Sequence, residues 1–476
     1  MEKSTTDAPS VSFVVLESTE HLSHERLHQL VASTLPQLTR FRSRLVHRPL
    51  GVGPPFWAEI DRYDPSPQIH GATVQAPGGH RELAELIAQL SAELPDRSET
   101  LWDAWSVNGL SGGRWALVVR LSPLLSEHGG AASIWSRLLR PHPHHGVSDD
   151  HPEESSPVAP AMGELASEVI AELFEFQVMG LFLVAETVTA LLRTVSRQFG
   201  GTRVVSDAEP AAPTVSEMPG ELARNAFTAP LTARRAVAFA SVWHADLETV
   251  STAFGGDVAN VLLAACTLSL RAWLQRHGTV PDGPLVMWMP LEQSAGQIRI
   301  PVHLNDPVEV LTNLHTATER MTAAQSHDDE TDYATVDVRA TVSMVPSIVM
   351  DAGARLIRGL DLRRRLTPIS HGSVYSVPAH PLPTYCAGAP VVGMHTVTPL
   401  AEGSGLTITP TAHGEEIHLS VCVCPDNVPA VDEIAAGIVG ALDILVAAAR
   451  KSPRGQGRSV VTEMTTHANK RGQARG

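Results

Sequence analysis

Residues 109–139 read GLSGGRWALVVRLSPLLSEHGGAASIWSRLL, and this stretch decides the fold. The stretch at 115–121 is apolar apart from Arg120 and rich in Val and Leu, which predicts a buried strand. The strand leads directly into Ser122 and Pro123, and a helix is expected after the glycines that follow. Functional side chains are common in loops that a rigid scaffold positions in this way. Here neither residue offers a strong base, because proline has no basic side chain and an unassisted serine hydroxyl is not basic.

The length and composition predict a large globular protein. A chain of 476 residues gives an expectation of two to three domains. Hydrophobic residues make up 43% of the sequence and the mean hydropathy is close to zero, as in folded proteins. The formal net charge of −15 argues against nucleic acid as a main partner, because phosphate binding needs a dense basic face.

The charge is unevenly distributed, because the last residues of the chain are basic. Residues 450–476 hold seven Lys and Arg against one Glu and have few large apolar side chains. We therefore interpret 451–476 as a disordered basic tail. The alternative is a weak electrostatic contact with an anionic membrane, worth about 1 kcal/mol per well-placed cation.

Four cysteines are too few for a disulfide framework in a chain of this length. We expect Cys266, Cys386, Cys422 and Cys424 to be reduced, buried thiols in a cytoplasmic protein. Residues 1–9 are polar and the apolar run after them is short, so no secretory signal is expected.

The most apolar stretch, residues 165–192, is interrupted by four glutamates. A membrane-spanning helix needs about 20 mostly apolar residues, and this stretch has no uncharged run of that length. We expect a buried or interfacial helix here, with docking on a membrane surface as the alternative.

Helices and strands follow one another without regular alternation, which predicts an α/β protein with mixed α+β layers. The composition marks a loop at 141–160 and a linker at 201–220, and thereby divides the chain into units at 1–200 and 221–450. The loop is rich in histidine, but its prolines argue against an ordered metal site, and no metal is expected. The histidines concerned are His142, His144, His145 and His151.

Apolar periodicity predicts the individual elements of both units. Strands are expected at 11–16, 41–46, 56–60, 115–121, 234–242, 284–290, 385–394, 406–410 and 416–424. Helices are expected at 24–35, 79–93, 162–198, 246–253, 259–277, 307–325 and 431–448, with a partly helical stretch at 338–360.

Several short motifs occur together in a characteristic order and spacing. In the N-terminal unit they are FRSRLV at 41–46, PFW at 55–57, IH at 69–70, PGG at 77–79 and LWD at 101–103. In the C-terminal unit they are GGDVANVLLA at 255–264, LRAWL at 270–274, MPL at 289–291, DPV at 306–308, VP at 377–378 and GLTI at 405–408. Through these motifs the chain resembles the bacterial wax ester synthase/diacylglycerol acyltransferase family, from about residue 11 to residue 449.

The resemblance implies two chloramphenicol acetyltransferase-like halves, each a mixed sheet packed with helices, around a central tunnel. It also implies transfer of an acyl group from acyl-CoA, the co-substrate, to a long-chain alcohol or diacylglycerol. The products are a wax ester or triacylglycerol, and no resident cofactor is implied.

In that family the strand equivalent to 115–121 ends in His-His-x-x-x-Asp-Gly, and the second histidine takes the proton of the attacking hydroxyl. Aligned on this motif, the present chain has Ser122, Pro123, Glu127 and His128 at the His, His, Asp and Gly positions, respectively. No intact catalytic residue is therefore expected at 122–128. His128 is interpreted as a solvated or helix-start residue, with a substitute base as the alternative. By analogy His70 either lines the site or is structural.

Two functions stay open on the sequence. The first is an O-acyltransferase with weak or altered activity. The second is a catalytically silent homologue that binds lipid or acyl-CoA, or that pairs with a related subunit. A cytoplasmic location is expected, and peripheral contact with the inner membrane or lipid inclusions is compatible with both functions.

Overall fold

The computed structural model describes residues 8–17, 22–46, 56–93, 101–126, 130–142, 225–290, 295–328, 370–374 and 384–452. In chain order the first elements are β1 (Ser10–Glu17), α1 (His24–Thr34), β2 (Ser43–Val46), β3 (Phe56–Glu59), β4 (Ile69–Thr73), α2 (His80–Ala92), β5 (Trp102–Leu110), β6 (Arg114–Leu121), α3 (Pro123–Ser126), α4 (Gly130–Leu138) and β7 (Leu139–Arg140). They are followed by β8 (Ala236–Trp243), α5 (His244–Phe254), α6 (Val258–His277), β9 (Leu285–Pro290), β10 (Ala295–Ile300), α7 (Pro307–Asp328), β11 (Gly372–Val374), β12 (Tyr385–Cys386), β13 (Ala389–Val397), β14 (Leu406–His413), β15 (Glu416–Val423) and α8 (Val431–Lys451).

The first sheet has seven strands in the order β4-β5-β6-β1-β13-β12-β7. At its centre, β1 and β6 pair antiparallel from Ser10↔Leu121 to Glu17↔Arg114. Because side chains alternate along a strand, each strand supplies two faces. On one face, Leu117 and Val119 of β6 join the apolar cluster beneath α1 and α4. The opposite face is turned towards the second sheet.

The second sheet has six strands in the order β10-β9-β11-β14-β15-β8, and helices α5 to α8 pack with it around the largest apolar core. The helices α6 and α8 approach closely, because Ser269 Oγ donates to the Ile434 carbonyl oxygen at 2.6 Å. A Cβ at Gly437 would lie 2.5 Å from Ser269 Oγ, so glycine is required at this contact.

Among the described helices, α6 is long and apolar enough by composition to cross a membrane. In the structure 67% of its most apolar window is buried within the protein. A helix in the core of a protein can have the same length and apolar composition. The packing of α6 against α8 indicates that α6 is such a core helix.

The two parts of the chain share a sheet. Strand β13, from the C-terminal part, pairs antiparallel with β1 from Val11↔Val397 to Leu16↔Val391. The short strand β12 extends this connection to β7 through Tyr385↔Arg140. The predicted division at 201–220 lies outside the described residues and stays a prediction. The strand order of the first sheet shows that strands β12 and β13 of the C-terminal part complete the sheet of the N-terminal part.

An apolar cluster joins the two sheets. Phe13 and Val118 contribute from the first sheet, Val237 and Cys422 contribute from the second, and Leu83 contributes from α2. This cluster separates two polar regions on the same face of the first sheet, which are described below.

Most predicted elements in the described residues are present, with ends that differ by a few positions. Five strands were not predicted, namely β4, β5, β7, β10 and β11, and the strand predicted at 385–394 is divided into β12 and β13. All four cysteines are free and buried, as expected. The helices predicted at 162–198 and 338–360, most of the loop at 141–160 and residues 453–476 lie outside the described residues.

Candidate functional site

Ser122 and Pro123 form a well-anchored turn at the end of β6. Ser122 is 6% exposed, and its backbone N–H donates to the Leu101 carbonyl oxygen at 2.8 Å. Its own carbonyl oxygen accepts from the Leu125 N–H at 3.0 Å. Pro123 is the first residue of α3, where a missing N–H has little effect, because that N–H has no partner within a helix.

This turn keeps its structure but offers no side-chain base at position 123. The pyrrolidine ring of Pro123 has no group that accepts a proton at neutral pH. Glu127 and His128 lie outside the described residues, so their predicted roles stay predictions. The pairing of this turn with the family's histidine motif also stays a prediction, since it rests on the sequence resemblance.

A charged cluster lies close to this turn, on the face that is turned towards the second sheet. Asp103 and Arg120 are directly opposite on β5 and β6. Arg120 Nε and Nη2 donate to Asp103 Oδ2 at 3.0 and 2.6 Å. The Arg120 guanidinium also lies 4.9 Å from the centroid of the Trp105 ring. From β4, His70 Nε2 lies 3.3 Å from Asp103 Oδ1.

The Asp103 cluster is internally satisfied. Burial acts to raise the pKa of Asp103, but the hydrogen bond from His70 and the charge of Arg120 together hold this pKa below its usual value. Both carboxylate oxygens have donors, and the His70 ring packs 5.0 Å from the Trp105 ring. Of the two interpretations of His70, the structure favours the structural one.

A cavity of about 220 Å³ lies between the two sheets, nearer the start of β6. The first sheet contributes Val15, Arg114 and His395, and the second contributes Ser241 and His418. The cavity is therefore lined by the two halves of the molecule together, in the region where the resemblance implies a tunnel.

Like His418, His395 is buried in the lining of this cavity, at 6% exposure. Its ring stacks on Phe13, with centroids 5.0 Å apart and an interplanar angle of 17°. The Phe239 and His418 rings lie 4.7 and 5.0 Å away. Its Nδ1 is 3.5 Å from Ser420 Oγ, at the outer limit of a hydrogen bond.

The surroundings of His395 favour its neutral form. Burial holds the pKa of His395 well below its usual value, and the neighbouring His418 and His80 act in the same direction. Burial also lowers the pKa of His418, against the opposing charge of Glu416, whose Oε2 lies 4.0 Å from His418 Nδ1. Both shifts favour the unprotonated imidazole of His395 and of His418 at neutral pH.

The cavity and the Ser122 turn are different parts of one interface. In the sheet register His395 pairs with Phe13, which pairs with Val118 of β6. Ser122 follows Val118 by four residues, which corresponds to about 13 Å along a strand. His395 therefore does not occupy the place of the predicted base.

Sequence reasoning did not identify His395 or His418. His418 lies inside the strand predicted at 416–424, and His395 directly follows the strand predicted at 385–394; both side chains are buried in the structure. The sequence feature that could have identified them is a polar residue at a strand position that alternation predicts to be buried. This feature does not show which strands pack against each other.

In the part of the chain that the structure describes, no group of three or more His, Cys, Asp or Glu side chains is arranged to hold a metal ion. His142 belongs to this part, whereas the other three histidines of the loop at 141–160 lie outside it.

Comparison with known proteins identifies the family. Residues 10–262 match the wax ester synthase/diacylglycerol acyltransferase catalytic domain, and residues 294–446 match the C-terminal domain of the same family. The chain belongs to the wax ester synthase/diacylglycerol acyltransferase family. The resemblance inferred from the sequence motifs is thereby confirmed.

Relatives and a solved structure agree with this assignment. Two Mycobacterium tuberculosis (strain CDC 1551 / Oshkosh) proteins named as diacylglycerol O-acyltransferases are similar to this chain. One is 24% identical over 91% of this chain and 84% of its own length, and the other is 27% identical over 90% of each. The wax ester synthase/diacylglycerol acyltransferase from Marinobacter aquaeolei VT8 matches 94% of this chain and 96% of its own, with a TM-score of 0.64 and 20% identity. This match confirms the predicted fold, a mixed α/β protein of the acyltransferase type.

Proposed function

We propose that this chain is an acyl-CoA-dependent O-acyltransferase of weak or altered activity, which esterifies a long-chain alcohol or diacylglycerol. One observation carries the proposal. The strand β6 and the turn after it are folded and packed within a matching catalytic domain, but Pro123 stands at the predicted position of the base.

The magnitude of the missing contribution supports weak activity rather than none. A general base typically accelerates a reaction by about 10²–10⁴-fold. Alignment of the two reactants supplies about 7–11 kcal/mol independently of any base. A protein that still holds acyl-CoA and an alcohol side by side therefore retains slow turnover without the family's histidine.

A second function is a lipid-binding or acyl-CoA-binding homologue without catalysis, or a partner of a related active subunit. The same proline favours it, because Pro123 removes the base and leaves the surrounding packing undisturbed. This function predicts that acyl-CoA or diacylglycerol raises the melting temperature of the protein without ester formation.

An assay of the purified protein separates the two functions. Long-chain acyl-CoA of several chain lengths is incubated with a long-chain alcohol or diacylglycerol, and ester is quantified against heat-denatured protein. Melting temperatures are measured with the same ligands. Ester above the control supports the acyltransferase. A thermal shift without ester supports the binding protein, and the absence of both contradicts the acyltransferase and the lipid-binding or acyl-CoA-binding protein.

The variant Pro123→His tests whether the turn has lost only its base. The first position of a helix accepts most residues, so the substitution preserves α3. If the reacting hydroxyl lies at this turn, ester formation is expected to rise by about 10²-fold or more, as a general base contributes. The matched control is Pro123→Ala, which removes the ring without supplying an imidazole.

Equal activity of the two Pro123 variants would show that position 123 does not face the reacting hydroxyl. The single substitution is measured first, because Ser122 is 6% exposed and a histidine there is oversized. Such overpacking costs about 1–3 kcal/mol, so the double variant Ser122→His with Pro123→His is examined only with its stability measured.

A further inference from the structure

His395 has one ring nitrogen that no described residue satisfies. Its Nδ1 faces Ser420 Oγ, whereas its Nε2 has no hydrogen-bond partner among the described residues and lies on the side of Gly393. A Cβ at position 393 would lie 3.7 Å from Nε2, so glycine leaves this side of the ring open. Both His395 and Gly393 line the cavity between the sheets.

Buried polar atoms in proteins normally have partners, and exceptions often mark a functional group. Here the ring is held from several sides. Phe13 stacks on it, Phe239 and His418 pack against it, and Ser420 lies at Nδ1. When Nδ1 carries the proton and donates to Ser420 Oγ, Nε2 is the basic nitrogen and is directed to the cavity.

We propose that His395 is the general base of this chain, and that the hydroxyl of the acyl acceptor binds in the cavity between the two sheets, at His395 Nε2. This inference rests on the proposed acyltransferase function and adds to it the residue and the place of proton transfer. The cavity suits the hydroxyl end of an alcohol or diacylglycerol, since it combines imidazole and hydroxyl groups with the apolar Val15 and Phe239.

The proposed step balances without a further reagent. The acceptor hydroxyl gives its proton to His395 Nε2 while its oxygen forms a bond to the thioester carbonyl carbon of acyl-CoA. The resulting tetrahedral intermediate breaks its carbon–sulfur bond and releases the CoA thiolate. The thiolate takes the proton from the His395 imidazolium, and the ester and CoA leave.

The variant His395→Gln tests the proposal, because glutamine retains polar atoms near Nε2 but does not accept a proton. We expect kcat for ester formation to fall by about 10²-fold or more, with a smaller change in KM. The matched control is His413→Gln. His413 lies on β14 within 6.2 Å of the His418 ring, and its Nε2 is 2.8 Å from Thr384 Oγ1, away from the cavity lining. We expect this control to retain activity.

The pH profile of kcat/KM provides a second readout. A neutral base is required, so activity is expected to fall only below the ordinary histidine pKa of about 6.5. The titratable groups that line the cavity together with His395 are His418 and Glu416 of β15, His80 of α2 and Arg114 of β6. An acid limb that persists in residual His395→Gln activity belongs to one of these groups and counts against the proposal.

The outcomes distinguish the inference from the proposed function. If the wild type makes ester and His395→Gln makes as much, His395 is not the base, while the acyltransferase function stands. If the wild type makes no ester with any acyl-CoA and alcohol, the function and the inference both fail. Loss of ester in a His395→Gln protein that melts at the wild-type temperature, with His413→Gln active, supports the inference. Loss that is matched by a lower melting temperature is resolved with His395→Asn, and inactivity of a well-folded Asn variant supports it equally.

Discussion

Two clusters with buried histidine or charged groups lie on the same face of the first sheet, and they differ in how completely their polar atoms are paired. In the Asp103 cluster, Arg120 and His70 supply donors to both carboxylate oxygens. In the cavity, His395 Nε2 has no partner among the described residues. A cluster that satisfies itself fixes the strands that carry it, whereas an open imidazole is available to a ligand.

Burial also acts on the two clusters in different ways. A buried carboxylate stays charged only if a cation compensates it, and Arg120 provides this at 2.6 Å. Among the residues that the structure describes, no carboxylate lies against the His395 ring, so burial favours the neutral form instead. The comparison therefore predicts that substitutions in the Asp103 cluster lower the stability of the fold, whereas substitutions at His395 lower the rate of ester formation.

The largest effect on stability is expected from Arg120→Met, which retains much of the aliphatic volume and removes the charge. Asp103 is then left buried beside His70, and the free energy of unfolding is expected to fall by about 3–5 kcal/mol in urea titrations. The control Arg81→Ala removes a side chain that is 82% exposed and is expected to change this energy by at most about 0.5 kcal/mol. If Arg120→Met lowers the free energy of unfolding by less than about 1 kcal/mol, as is typical of an exposed ion pair, the Asp103 cluster does not have the proposed effect on stability.

The pH dependence of stability sharpens the comparison. The pKa of His395 is lowered on folding, so between pH 7 and 5 the unfolded chain binds a proton that the folded chain excludes. The free energy of unfolding is therefore expected to decrease as the pH is lowered from 7 to 5, by up to about 1.4 kcal/mol per pH unit for this group. His395→Gln reduces this slope, and His418, whose pKa is also lowered, retains part of it.

The variant Asp103→Asn is the counterpart of that measurement. The pKa of Asp103 is also lowered on folding, so its contribution is present above the unfolded value of about 3.9 and is lost as pH falls through the folded value. We expect Asp103→Asn to leave the slope between pH 7 and 5 unchanged. A flattened slope in this variant would mean that the two clusters titrate together.

The smallest effect is expected from His70→Ala. His70 lies on the edge strand β4, and its side chain is 38% exposed, so the loss of its hydrogen bond to Asp103 is expected to cost about 1 kcal/mol in urea titrations. Ester formation is expected to continue at the wild-type rate. Loss of ester without loss of stability would place His70 in the reacting site and break the comparison.

The elements with continuous apolar patterns were predicted from the sequence, and those with polar interruptions were missed. β6 was recognised because six of the seven residues at 115–121, all except Arg120, are apolar. β5 was missed because Asp103, Ser106 and Asn108 interrupt its pattern. Ser106 is nevertheless buried, since its hydroxyl donates to the Leu22 carbonyl oxygen at 2.6 Å, a partner 84 positions away.

Part of the candidate site was likewise predicted from the sequence, and part was missed. The sequence located the turn at Ser122 and Pro123 and showed that position 123 carries no base, because residue identity alone settles that chemistry. It did not locate the cavity, since His395 and His418 belong to strands of different sheets and meet only when β13 crosses to pair with β1.

By itself, the amino-acid sequence determined the family, the mixed α/β class, the buried thiols and the absence of a side-chain base at Pro123. These follow from local pattern and from the chemistry of single residues. The tertiary structure decided that the C-terminal part completes the N-terminal sheet, that Arg120 compensates Asp103, and that an imidazole faces the space between the sheets. Each of these is a contact between segments that are distant in the sequence. The free energy of burying a polar group depends on the partner that it meets in the folded protein, and the local sequence does not specify that partner.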